Sequence, residues 1–484
     1  MLATLLRCLA IAPDAQTIAL ASMKPKILET DYLVIGSGAT GLAFTDALIE
    51  HCNARVIVVD RRHAPGGHWN DVYPFVRLHH PSAYYGVNSL SLGGDSIDQH
   101  GLNRGLYERA TGPEVCAYYS RVMHERLLGS GRVQYFPMCD YLGGERFVSR
   151  VSGDRYEVKV RKARVDAGYL EPAIPATTKP PFEVVPDARC VPPNELPRLV
   201  ERADGYVIIG AGKTAIDACL WLLELGVPAS DIRWIKPREC WLQNRAFAQG
   251  GELVGWMLEG ISLQVEAAAL ASSVEDLFAR LSDSAQLLRA DTSVTPTMFK
   301  AATASSAELD ELRRIENVVR LGRVRRIERD AIVLEGGSIP TNGRQLHVHC
   351  AAAGLNPAPT MPIFGEGVIT PQPIRTGLIP FNAALVGFVE ASARDLVEKN
   401  RLCPPNRLPD VPLDWLRGTL IGRTADYLWS KEPDISAWLD RSRLNPSRGL
   451  DQHSQDPGVQ RASQRFLKHV RPALENLKRL LAAA

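Results

Sequence analysis

The sequence predicts an α/β protein in which one strand–turn–helix–strand unit is built twice, followed by a helical C-terminal region. Three observations lead there. The apolar run Tyr32-Leu-Val-Ile35 enters a glycine turn, Gly36-Ser-Gly38-Ala39-Thr40-Gly41, and a helical pattern follows. The same order returns at Tyr206-Val-Ile-Ile209 with Gly210-Ala-Gly212-Lys213-Thr214-Ala215. Beyond residue 406 the pattern is amphipathic helix, as in Phe466-Leu-Lys-His-Val-Arg-Pro-Ala-Leu.

The elements follow in order. Residues 1–27 read as an extension. Its first 22 residues hold a short apolar patch and Ala19-Leu20-Ala21, a faint export-signal pattern. Asp14 and Gln16 interrupt that patch and Arg7 is its sole cation, so a disordered extension or an upstream start is favoured. The first unit opens at 28–200, with a second apolar run at Arg55-Val-Ile-Val-Val-Asp60. Loops rich in Gly, His and Tyr cover 66–112, a helix is expected over 113–129, and 147–160 alternates around Ser152-Gly153-Asp154 as a hairpin. A proline-rich linker, 172–197, leads to the second unit at 201–344. There 264–318 is expected to be helical, with strands resuming at 318–326 and 331–334. The buried run Leu346-His-Val-His-Cys350 returns the chain to the first unit at 345–405, and 406–484 forms the helical region.

Composition excludes several classes. The 484 residues leave room for two or three cores, and 45% hydrophobic with 23% charged residues is ordinary for a globular enzyme. A net charge of +2 gives no bulk attraction to nucleic acid or an anionic membrane. No uninterrupted apolar run reaches about 18 residues, so no membrane span is expected. The nine cysteines lie far apart without a CxxC pair. That disfavours a disulfide framework or a paired-cysteine redox centre and points to a reducing, cytoplasmic compartment. His347 and His349 share a strand face without a third ligand, so no metal is expected.

The two glycine turns carry the chemistry. The first glycine permits the turn, the second lets backbone approach a pyrophosphate, and the third lets helix and strand pack closely. The helix N-terminus then offers free N–H groups to the phosphates. Both units therefore read as Rossmann-like dinucleotide-binding domains. Asp60, followed by Arg61, closes the second strand of the first unit, where an acid accepts hydrogen bonds from an unmodified ribose, as in FAD or NAD. In the second unit the matching position is Lys236, with Arg233 and Arg238 beside it. Cations there pair with a 2′-phosphate, so NADPH is expected in preference to NADH. Two such sites in one chain suggest hydride transfer between bound dinucleotides.

With Gly66-Gly67-His68-Trp69 after Asp60, then Tyr73-Pro-Phe-Val-Arg77 and Cys350-Ala-Ala-Ala-Gly354, the chain resembles the class B flavoprotein monooxygenases. These include flavin-containing monooxygenases, Baeyer–Villiger enzymes and N-hydroxylases. The resemblance covers roughly 28–90, 200–245 and 345–392. It implies an FAD domain interrupted by an inserted NADPH domain, with Gly67, His68 and Trp69 beside the flavin. It also implies a reaction with molecular oxygen through a flavin C4a-(hydro)peroxide, which oxygenates a small organic substrate. On that analogy Arg77 orients NADP or polarises the intermediate. His79 stands where many relatives place Asn or Asp, and would hydrogen-bond or pass a proton near C4a, since an ordinary imidazole titrates near neutrality. The stretch Phe182-Glu-Val-Val-Pro-Asp-Ala-Arg lacks the histidine of the family's extended fingerprint, so the substrate does not transfer by analogy. The alternatives are an NADPH-dependent flavin oxidase or reductase without oxygen insertion, and a nucleotide-dependent redox-sensing protein.

Overall fold

The computed structural model describes residues 24–355 and 357–484. Residues 1–23, and with them the question of an export signal, lie outside the described residues. The first unit contains β1 (Lys26–Ile35), α1 (Ala39–His51), β2 (Val56–Val59), α2 (Gly112–Arg121), β3 (Val133–Phe136), β4 (Cys139–Tyr141), β5 (Arg146–Ser149) and β6 (Arg155–Asp166). Its parallel strands run in the order β3-β2-β1-β6, and β5 pairs antiparallel with β6 as the hairpin pattern required. β2 is buried throughout, which explains its unbroken Val-Ile-Val-Val run. The helix expected over 113–129 is α-helical to Arg121 and widens into a π-turn at Val122–Leu127. Thr111 and Glu114 form its capping box.

The second unit contains β7 (Glu183–Val184), β8 (Cys190–Val191), β9 (Gly205–Ile209), α3 (Lys213–Glu224), β10 (Ile232–Ile235), β11 (Cys240–Asn244), α4 (Val254–Leu270) and α5 (Val274–Asp283). It continues with β12 (Leu287–Leu288), β13 (Met298–Ala304), α6 (Ser306–Arg313), β14 (Val318–Val319), β15 (Val324–Ile327), β16 (Ala331–Leu334), β17 (Gly337–Pro340) and β18 (Gln345–His349). The main sheet, β14-β10-β9-β18-β8, is parallel throughout. Three expectations change here. β18 lies beside β9, so the return to the first unit comes after residue 349 and not at 345. The proline-rich linker supplies β7 and β8, which join sheets of the second unit. The stretch 264–318 is not all helix, because β13 pairs with β11. Its Ala-rich sequence, buried on both faces, has no period that separates strand from helix.

β19 (Phe364–Gly365) and β20 (Val368–Ile369) rejoin the first sheet beside β6. Five helices follow: α7 (Ile379–Glu390), α8 (Leu396–Leu402), α9 (Pro412–Trp429), α10 (Pro433–Arg441) and α11 (Pro457–Ala483). α7 crosses α1 at Gly387, where an added Cβ would lie 2.5 Å from the Phe44 carbonyl oxygen. Among the described residues one helix, Gly251–Leu270, is long and apolar enough to cross a membrane by length and composition, although Glu252, Glu259 and Glu266 interrupt its apolar run. In this fold 44% of that stretch is buried, and α11 packs along it.

Candidate functional site at the two glycine turns

Both turns sit at the C-terminal end of the central strand of their sheet, where the connections part to either side. Backbone pairing repeats from one unit to the other. Gly36 N–H donates to Val59 at 2.8 Å and Gly210 N–H to Ile235 at 3.0 Å. On the other flank Ala167 donates to Ile35 at 3.1 Å and Cys350 to Ile209 at 2.9 Å. Gly36 and Gly210 adopt φ of +106° and +137°, which a side chain resists. A Cβ on Gly41 would fall 2.0 Å from the Gly36 carbonyl oxygen, and one on Gly210 would fall 2.8 Å from that of Cys350. Ala167-Gly168, at the end of β6, thus completes the first turn as Cys350 does the second. Sequence reading had noticed only the second of these.

Neither helix after a turn has a side-chain cap: Gly38 precedes α1 and Gly212 precedes α3. Helix α5, in contrast, is capped by Ser273 and α6 by Ser305. The amides that open α1, on Ala39, Thr40 and Gly41, and those of Lys213 and Thr214 in α3 remain for phosphate oxygens, whereas Ala215 N–H donates to the Gly212 carbonyl at 3.1 Å. Gly66 N–H donates to Ser37 at 2.8 Å, and Gly67 faces Gly38 so closely that a Cβ would lie 3.0 Å from its Cα. Next to them Trp69 Nε1 donates to the Tyr85 hydroxyl at 2.5 Å, and His68 stacks on Trp69 with centroids 5.4 Å apart. Burial lowers the His68 pKa to about 4, so its ring is neutral.

Asp60 is buried and turned toward its own glycine turn. Its Oδ2 accepts from Ser37 N–H at 2.6 Å and Ser37 Oγ at 2.8 Å, and Oδ1 accepts from Arg62 N–H at 2.8 Å. A carboxylate oxygen keeps further lone pairs, so ribose hydroxyls can join these donors. An open groove of about 700 Å³ adjoins it, walled by Arg61, Arg62, Arg150, Gly168, Glu171 and Thr177. Arg61 is ion-paired with Glu171 across that groove. These residues fit the adenosine half of a flavin dinucleotide.

The second unit is arranged differently. Lys236 takes the position equivalent to Asp60 but is buried and ion-paired with Glu239. Arg238 forms a two-pronged pair with Asp410, at 3.1 and 3.0 Å. Arg233 donates to the Pro340 carbonyl at 2.5 Å. Lys213 is ion-paired with Asp217, and burial lowers its pKa against the opposing pull of that carboxylate.

The segment 71–80 crosses from the first unit to the second. Tyr73 hydroxyl donates to Asp217 at 2.7 Å, and Phe75 stacks on Trp221 with centroids 4.7 Å apart. The His79 carbonyl accepts from Arg245 Nε at 3.2 Å and Thr303 Oγ1 at 2.7 Å. His80 reaches the loop before α7, 3.4 Å from where a Cβ on Gly377 would lie. His79 therefore stands between the two units. Its imidazole is not an ordinary one: burial, then the charges of Lys213, His80, Arg245 and Arg109, hold its pKa well below normal. The ring is therefore neutral near pH 7. Arg77 is exposed and spends one Nη on the Arg109 carbonyl at 3.2 Å.

Sequence reading missed the buried cluster behind His79. Arg109 and Arg245 both bind Glu308, at 3.0 and 2.6 Å, and all three are buried. Burial would raise the Glu308 carboxyl, yet the two guanidinium groups win and hold its pKa at about 2. The three come from distant parts of the chain, and Glu308 alone carried a local sign, the Ser-x-x-Glu capping box at Ser305.

Comparison with known proteins adds the following. A family model described as an NAD(P)-binding Rossmann-like domain matches residues 34–90. An uncharacterized protein of Mycobacterium tuberculosis is 46% identical over 462 residues, covering 95% of this chain and 86% of the relative. One of Mycobacterium bovis matches to the same extent. The chain belongs to the family of these mycobacterial proteins. Among solved structures, a steroid monooxygenase bound to NADP is similar at 14% identity, covering 94% of this chain and 98% of that one, with a TM-score of 0.47. A flavin-containing monooxygenase from Stenotrophomonas maltophilia has 14% identity, coverage of 85% and 99%, and a TM-score of 0.40. A bacillithiol disulfide reductase from Staphylococcus aureus has 11% identity, coverage of 84% and 99%, and a TM-score of 0.43.

Proposed function

We propose that this protein is an FAD-dependent monooxygenase that takes a hydride from a pyridine nucleotide, NADPH by the sequence, and oxygenates a small organic substrate. One observation carries the reading: two uncapped glycine turns, each on the central strand of its own parallel sheet, joined by a segment that sets His79 between the units. The overall change balances as substrate plus dioxygen, nucleotide and a proton giving oxygenated substrate, water and oxidised nucleotide. Bound flavin supplies the hydride acceptor and the reaction with oxygen. Everything else falls to the chain. Backbone amides of the first turn and α1 hold the diphosphate, and Asp60 with Ser37 orients the ribose. Lys213 and the amides of α3 hold the nucleotide phosphates. Neutral His79 hydrogen-bonds at the reacting edge, while Trp69, Tyr85 and Tyr119 wall off water.

The test is anaerobic reduction of the flavin-loaded protein by nucleotide, followed by isotopically labelled dioxygen and a panel of amines, thioethers and ketones. Label in the product upholds the reading. Hydrogen peroxide released in step with nucleotide oxidation, without labelled product across the panel, replaces it with an oxidase or reductase. A protein that takes up no flavin overturns the assignment of the first unit.

A further inference from the structure

The ribose position of the second unit holds a charge arrangement that the sequence does not show. Glu239 is buried, its Oε2 on Lys236 and its Oε1 accepting from Arg320 Nε at 2.9 Å. Arg320 reaches on to Asp291 at 2.8 Å. Lys236 Nζ lies 4.4 Å from the centroid of the Trp234 ring, whose Nε1 donates to the Gly210 carbonyl at 2.7 Å. The pair is therefore held against the glycine turn. Between Ala211, Trp234, Lys236 and Glu239 only about 10 Å³ remains, room for roughly one water. A 2′-phosphate seeking these two cations meets a carboxylate already between them.

We propose that Glu239 sets the nucleotide preference of the second unit by occupying the 2′-phosphate position between Lys236 and Arg320. The proposal rests on the reading that this unit binds a pyridine nucleotide. With NADPH, carboxylate and phosphate compete for the same two cations, and like charges at that spacing repel. With NADH nothing has to be displaced, and the carboxylate is the group that accepts from a plain ribose. Arg238 offers no substitute, since Asp410 holds both its Nη groups.

The test is anaerobic titration of the flavin-loaded protein with NADH and with NADPH, read by calorimetry and by tryptophan fluorescence. Glu239→Gln should tighten NADPH about tenfold while leaving NADH within about twofold. Arg320→Gln, at a partly exposed residue, should weaken NADPH about tenfold and spare NADH. Opposite effects on one nucleotide are not produced by a merely structural role, which moves both nucleotides together. An unchanged ratio of the two dissociation constants in both variants overturns the proposal while the nucleotide site stands. Failure of wild type to bind either nucleotide overturns the site and the proposal with it.

Discussion

Asp60 and Lys236 hold the same place in two copies of one unit, and they are buried in opposite ways. Asp60 bends back to its own glycine turn and is satisfied by the Ser37 and Arg62 amides. Lys236, which cannot accept from backbone amides, takes its counter-charge from Glu239 three residues on, and that carboxylate is shared with a second cation, the strand-end residue Arg320. A buried acid can be satisfied by backbone donors alone, whereas a buried ammonium needs a carboxylate or carbonyls. The surroundings of Asp60 are thus built from local geometry, and those of Lys236 draw in Arg320 and Asp291 from beyond its own loop.

The third turn position breaks that comparison hardest. Gly41→Ala places a Cβ 2.0 Å from a carbonyl oxygen of its own turn, whereas Ala215 is already accommodated and fully buried. We predict that Gly41→Ala costs about 3 kcal/mol or more and abolishes flavin uptake, read by visible absorbance and melting temperature. Ala215→Gly should cost only about 1 kcal/mol and leave flavin bound. Equal losses from the two would show that the first turn is no tighter than the second.

The cluster that joins the units comes next. Glu308→Gln leaves Arg109 and Arg245 buried without their counter-charge and should cost about 3–5 kcal/mol in chemical denaturation. The pH dependence has a definite sign. The folded Glu308 carboxyl titrates at about 2, below an unfolded value of roughly 4.3. Its contribution is therefore complete above the unfolded value and is lost as pH falls toward about 2. Glu308→Gln should flatten stability over that interval, and an undiminished acid slope would place the effect elsewhere.

Asp60→Asn sharpens the comparison at smaller cost. The amide cannot replace both charged acceptor oxygens, so flavin binding should weaken by about 1.5–3 kcal/mol, roughly ten- to a hundredfold, in equilibrium titration. Least drastic is His79→Gln. A neutral hydrogen-bonding group replaces another, so substrate oxidation should persist within about tenfold, whereas His79→Phe should lose more. Because the His79 pKa is held well below normal, wild-type activity should show no histidine inflection between about pH 6.5 and 8. An inflection there that vanishes in His79→Gln would restore the proton-carrying role first read from the sequence.

Much of the framework was legible in the chain because it is local. An apolar strand, a turn that only glycine permits and a helix pattern occupy consecutive residues, so Gly36, Gly41 and Gly210 announce their own geometry. Duplication of that pattern fixed the α/β class and the two units, and the β5–β6 hairpin followed from simple alternation. The boundary at 345 was misplaced because a buried strand such as β18 reads the same in either sheet. β13 was missed because uniform burial erases the period of two.

By itself the sequence determined which residues follow the second strand of each unit, Asp60 and Lys236, and singled out His79. Only the tertiary structure decided their charge and availability. Arg320, Arg109, Arg245 and Glu308 come from separate elements, and such pairings leave no period along the chain. A side chain's identity is local, but its protonation and its free lone pairs are set by burial and by the nearest charges, which folding alone brings together.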